Sequence, residues 1–141
     1  GHPCVVVDAG TLREGTEALL PHARVFVASE SFARAFAGDD PEEACRAIRA
    51  RGPEVAGVTL GARGYVALVG DRLLRRPAHA VRAVDTTGCG DVFHAGLVEG
   101  MLAGRSWEAS FDFAAWAAAQ AATRLGNRDG VPDASAYRER G

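Results

Sequence analysis

The chain has 141 residues, 48% hydrophobic and 24% charged, which is enough apolar material to bury a core and too much for a disordered segment. A formal net charge of −2 argues against a general nucleic-acid or membrane-surface binder, and no apolar run reaches the roughly 18 residues of a membrane span. All 16 basic residues are arginine, which excludes a Walker A loop and a protein-kinase site, because each needs a lysine against the phosphates. Cys4, Cys45 and Cys89 lie far apart without CxxC spacing and read as free thiols in a reducing cytoplasm.

In chain order, "CVVVD" (4–8) reads as a buried strand. Thr11 and Glu14 have the spacing of a capping box, which predicts a helix ending near Pro21. "RVFVA" (24–28) is a second strand, and Ser29 is placed to cap a helix running to about Phe36. Asp40, Pro41 and Glu43 mark another helix start, which Gly52-Pro53 closes. "VAGVTLG" (55–61) is a third strand. "YVALVGDRLLRR" (65–76) predicts a hairpin turning at Gly70-Asp71, followed by the extended segment "HAVRAV" (79–84). A helix follows from about Asp91 to Leu102, with Gly104 beyond it. Ser106 then caps a long alanine-rich helix that Gly126 terminates. Such alternation implies a largely parallel sheet covered on both faces, in one domain over 1–141. Trp107, Trp116 and the phenylalanines, at helical spacing, read as core.

Between strand and helix lies "DTTGCGD" (85–91). The first amides of a helix lack intrahelical partners and sit at the positive end of its dipole, so such a turn suits an anion. Gly88 and Gly90 allow close backbone approach, so the amides of Gly88, Cys89 and Gly90 could converge on a phosphate. A dinucleotide fingerprint is excluded because its third glycine would fall at Phe93. Asp91, beside that turn, has two readings: a carboxylate that accepts a proton from a hydroxyl during phosphoryl transfer, or a helix cap. A thiol at a helix start is also expected to have a lowered pKa, which would make Cys89 the reactive cysteine.

"DTTGCGDVFHAG" (85–96) resembles the C-terminal signature of the ribokinase/PfkB family of sugar kinases, usually D-T-T-G-A-G-D, and the likeness covers nearly the whole chain. "VVVDAG" (5–10) resembles the family's mid-chain strand and "VTLGARGYV" (58–66) its nucleotide-loop strand. "FAAWAAAQAATRLGNRDGVP" (113–132) resembles its adenine-side helix and closing loop. "VDTTGCGDVFH" with "NRDGVPD" is most similar to the sulfofructose kinase and ketohexokinase branches.

The resemblance implies a ribokinase-like three-layer α/β/α fold, with this chain as the C-terminal half of the sheet and helices on both faces. It implies ATP-dependent phosphorylation of a sugar or sugar-derivative hydroxyl in the cytoplasm, with Mg2+ and K+ as companions and with neither nucleic acid nor membrane as partner. By motif, Asp91 would be the base, and Gly88, Cys89 and Gly90 the anion hole. Thr59, Gly61 and Gly64 would line the nucleotide site, with Ala115 near the adenine. Asp85, Thr87, Ala121, Arg124, Gly126 and Gly130 would hold the monovalent cation. His94, one turn past Asp91, would face the sugar or simply pack in its helix.

Two departures from the family pattern bear on these expectations. The N-x-x-E motif that handles magnesium through waters should start near Ser29, yet its fourth position is Phe32, which leaves Glu30 as substitute or as a favourable first-turn charge. The chain also opens at what resembles the middle of the fold, without the sugar-binding half and lid, so the isolated chain is expected to be inactive and open to self-association. The alternative is a truncated module that binds a nucleotide or anion without kinase activity.

Overall fold

In the computed structural model, which describes residues 4–138, the chain divides into two units, Gly1–Arg76 and Pro77–Gly141. The first holds a five-stranded sheet in the order β1 (Val6–Ala9), β2 (Val25–Ser29), β3 (Val55–Thr59), β4 (Tyr65–Val69), β5 (Arg72–Arg76). β1, β2 and β3 run parallel, whereas β3–β4 and β4–β5 pair antiparallel, so the sheet is mixed rather than largely parallel. The tight turn Gly61–Arg63 reverses the chain between β3 and β4, and the hairpin read from the sequence then turns between β4 and β5 at Gly70-Asp71 as expected.

β2 and β3 are apolar runs because both of their faces are buried. On one face Phe26, Ala28, Ala56, Val58, Val66 and Leu68 alternate with period two and form a core with α1 (Glu30–Ala37) and α2 (Pro41–Arg49). Ser29 caps α1 by accepting the N–H of Phe32 at 3.1 Å, and Asp40 caps α2 through the N–H of Glu42 at 2.8 Å. Both caps are those the sequence predicts.

The Thr11–Glu14 capping box is not formed. Residues Thr16–His22 wind as a 3-10 helix behind a left-handed Gly15, and Thr16 rather than Thr11 supplies the accepting hydroxyl, to the N–H of Arg13 at 3.3 Å. Pro21 lies inside this segment, and its missing N–H removes a bond that an α-helix needs there.

The second unit is built on α3 (Cys89–Leu102), α4 (Trp107–Ala121) and the short α5 (Asn127–Gly130). Ser106 caps α4 by accepting the N–H of Ala109 at 3.1 Å, as expected. α4 ends at Ala121, five residues before Gly126, which instead precedes α5. Its last carbonyls are taken by other groups: that of Ala122 accepts the N–H of Val84 and Asp85, and that of Gln120 the hydroxyl of Thr123. Val92, Phe113, Trp116, Ala117, Ala121 and Tyr137 form the core, while Trp107 is only half-buried. A buried carboxylate, Asp112, interrupts the apolar face of α4. It accepts the Tyr137 hydroxyl at 2.8 Å and meets Nε2 of His79 at 3.2 Å, which ties the 79–84 segment, expected to be extended but in no strand here, and the C-terminal segment to one helix. No helix among the described residues is long and apolar enough to cross a membrane.

Candidate active site

Gly88 adopts a left-handed conformation (φ 72°, ψ 4°), which a side chain would resist, and this swings the chain from Thr87 into α3. The helix begins at Cys89, two residues earlier than the sequence reading, so Cys89, Gly90 and Asp91 form its first turn. No side chain caps it. The cap reading of Asp91 therefore fails on geometry, since Gly88 holds that position. The Cys89 N–H turns back to the carbonyl of Thr86 at 3.2 Å, whereas nothing lies within 4 Å of where a Cβ on Gly90 would stand. Asp91 is exposed, and among the described residues its carboxylate has no hydrogen bond or ion pair.

Asp85 braces this turn. One carboxylate oxygen accepts the N–H of Thr87 at 2.9 Å, and the other accepts that of Gly126 at 3.1 Å. The Thr87 amide and hydroxyl, followed by the Gly126 amide, stabilise the charged form and hold the Asp85 carboxyl below the usual aspartate range. Gly130 packs so closely on Ala121 that an added Cβ would lie 2.5 Å from its carbonyl oxygen, and Nη1 of Arg124 donates to the carbonyl of Asp129 at 3.2 Å. The residues expected around a monovalent cation thus fall into two linked groups, Asp85–Thr87–Gly126 and Ala121–Arg124–Gly130. One carboxylate with carbonyl oxygens is a hard donor set that fits such an ion, and no cluster of three or more His, Cys, Asp or Glu side chains occurs among the described residues.

The Cys89 thiol is pushed up rather than down, first by burial against the Val92–Trp116 cluster and then by the charge of Asp85. This reverses the expectation drawn from its place at a helix start. Nδ1 of His94 lies 2.8 Å from the carbonyl of Gly90, a bond within its own helix, and the ring stands edge-on to Phe93.

In the first unit, Thr59 ends β3 directly opposite Ser29 at the end of β2, so the expected nucleotide residues and Glu30 meet at the carboxyl ends of two parallel strands. Open α/β sheets bind ligands at such ends. The Thr59 hydroxyl donates to the carbonyl of Ala28 at 3.4 Å. Gly61 and Gly64, both at positive φ, flank a single 3-10 turn that the Leu60 N–H closes on the carbonyl of Gly64 at 2.8 Å. Ala115 is buried within α4.

Glu30 does not fit a magnesium ligand. Its oxygens lie 3.1 Å from Arg34 and 2.6 Å from Arg63, and two guanidinium charges repel a dication. Phe32, where the resemblance would place the glutamate of the N-x-x-E motif, is fully buried in the core. The sequence reading missed Arg63 because an arginine in an exposed turn carries no signal of its partner.

The profile of the pfkB family carbohydrate kinases matches residues 2–134. A ribokinase of Haemophilus influenzae is 28% identical over 136 residues, covering 91% of this chain and 44% of that protein. The solved ribokinase of Thermotoga maritima matches with a TM-score of 0.81 at 25% identity, over 92% of this chain and 46% of that one. The Arabidopsis thaliana ribokinase, solved with ribose and ATP, matches with a TM-score of 0.78 at 25% identity, over 93% and 46%. The chain spans about half the length of these relatives.

Proposed function

From the premise that this chain belongs to the pfkB family of carbohydrate kinases and has their ribokinase-like α/β fold, we propose that it carries the nucleotide loop, anion site and catalytic base for ATP-dependent phosphorylation of a sugar hydroxyl. The observation that carries the reading is Asp91: an exposed carboxylate with no hydrogen bond or ion pair among the described residues, in the first turn of a helix that no side chain among them caps. Asp91 takes the proton of the acceptor hydroxyl as its oxygen bonds to the γ-phosphorus, and the bond to the bridging oxygen breaks to release ADP. The transition state is loose, so the protein's work is positioning and charge stabilisation, supplied by the amides of Gly88 and Gly90 and the α3 dipole. A Cβ on Gly90 would stand in open space, so the residue itself does not obstruct a ligand, whereas the Cys89 N–H is already taken by the Thr86 carbonyl.

Thr59, Gly61 and Gly64 would present backbone and hydroxyl groups to the nucleotide, whereas Ala115 is buried within α4 and is assigned no contact. Asp85, with carbonyls of the 121–130 segment, would hold a monovalent cation such as K+, whose charge would fix the loop. Magnesium would arrive with the triphosphate, and no residue of this chain is assigned to it.

The test is ADP release over a panel of ketoses and aldoses, by this chain alone and with the N-terminal half of a family member added in trans, because the chain spans about half of its relatives' length. Release that a sugar stimulates supports the kinase reading. ATP binding with no stimulation by any sugar would instead favour a nucleotide-binding module.

A further inference from the structure

We infer that Glu30 is a positioning residue for the Gly61–Gly64 turn and acts through Arg63 rather than through a metal. The meaning of this role rests on the proposed nucleotide function of that turn, but its geometry does not. Glu30 is the first residue of α1, where the helix dipole favours a negative charge and fixes the side chain at the end of β2. From there one oxygen reaches Nη2 of Arg63 at 2.6 Å, 33 residues on and in the middle of the turn. The other oxygen reaches Nη2 of Arg34 at 3.1 Å, one helical turn along α1, and Nε of Arg34 holds Asp39 at 2.7 Å. Four charges thus form a chain from the end of α1 through its first residue to the glycine turn. They line a shallow cleft walled by Ala33, Pro41, Val58 and Leu60, which keeps the pairs beside apolar surface.

A turn with two glycines at positive φ has little intrinsic stiffness, and the closing Leu60–Gly64 hydrogen bond holds only its ends. Arg63 is the one side chain in the turn long enough to reach α1, because its neighbours there are Gly61, Ala62 and Gly64. Glu30 supplies the anchor, and Arg34 keeps the Glu30 carboxylate oriented. The arrangement explains how a glutamate can stand next to the position of a metal motif without belonging to it.

Hydrogen exchange at the amides of residues 60–65 reads the latch without any ligand, in the wild type, E30Q, R63Q and the double variant. Partly exposed ion pairs are individually weak, so each single variant is expected to raise exchange about two- to five-fold, with the double variant no higher than either. A parallel titration of ATP binding against Mg2+ is expected to give weaker ATP binding in E30Q and R63Q alike, by a similar factor, at an unchanged magnesium midpoint. Unchanged loop exchange in E30Q overturns the inference. So does a magnesium midpoint that shifts in E30Q but not in R63Q, because that is the signature of a metal ligand. If the wild type binds no ATP, the nucleotide reading fails while the exchange experiment still decides the latch.

Discussion

The carboxylate of Asp85 reaches across 41 positions of sequence to accept the backbone N–H of Gly126 at 3.1 Å, and its second oxygen accepts the N–H of Thr87 at 2.9 Å. One side chain therefore holds together the turn that opens α3 and the loop that follows α4. Both bonds need the charged form as a strong acceptor, so the brace has a pH dependence of fixed sign.

The native pKa of Asp85 lies below that of free aspartate, about 3.9, chiefly because of the Thr87 amide. The stabilisation is fully present above that free value and is lost as the pH falls through the lower native one. The protection of the Thr87 and Gly126 amides, relative to their intrinsic exchange at each pH, should hold from neutrality down to about pH 4 and fall below it, while Asp85→Asn should lack that protection already at neutrality. An unaltered Gly126 amide in that variant would remove the brace.

The three thiols should label in an order that differs from the one the helix start suggests. Burial pushes the Cys45 thiol up to about 12, and burial with the Asp85 charge raises that of Cys89, whereas Cys4 is exposed. Since the thiolate is the reactive form, alkylation followed by mass spectrometry should find Cys4 first, Cys89 later and Cys45 last. Cys89 ahead of Cys4 would restore the reading of an activated thiol.

Close packing of α3 on α4 gives a third test. A Cβ on Gly100 would come within 2.9 Å of Cα, Cβ and Oγ of Ser110, and one on Gly96 within 3.0 Å of Cα of Ala114. Gly100→Ala gains about 1 kcal/mol of helix propensity but forces the helices apart, at a cost of about 1–3 kcal/mol. The net effect should be a lower melting temperature. Gly90→Ala, in open space, should melt no lower than the wild type. A higher melting temperature for Gly100→Ala would show that the helices separate freely.

What the sequence reveals and what it hides divide along the range of the interactions. The Ser29, Asp40 and Ser106 caps and the Gly70-Asp71 hairpin depend on a few consecutive residues, and the structure places them where local chemistry does. The failed Thr11 cap is the exception that explains the rule, since Gly15 and Pro21 outweighed a good capping pattern. The end of α4 was illegible because it is set by Val84 and Asp85, far back in the chain. The same holds for the sign of the Cys89 shift, which depends on burial, and for the Glu30–Arg63 pair. The motif itself could be read from the residues, but the bond that turns the Cys89 N–H back to the Thr86 carbonyl could not.

The decisive substitution is Asp91→Asn, because it separates the two things a first-turn carboxylate does. Asp91 stands three positions after Gly88, so it supplies charge to the helix start without being its cap. Removing that charge should cost no more than about 0.3–1 kcal/mol of stability, which a modest fall in melting temperature would report. Asparagine keeps the size of the side chain, so the amides of Gly88 and Gly90 and the turn that presents them should be undisturbed, and ATP should bind nearly as before. Proton transfer is different, since an amide cannot accept the hydroxyl proton as a carboxylate does. A positioned base contributes about 10²–10⁴-fold, and sugar-stimulated ADP release should fall by that factor with the sugar KM little changed. Near-normal turnover in Asp91→Asn would end the general-base assignment, and a loss of ATP affinity equal to the loss of rate would make Asp91 a binding group instead.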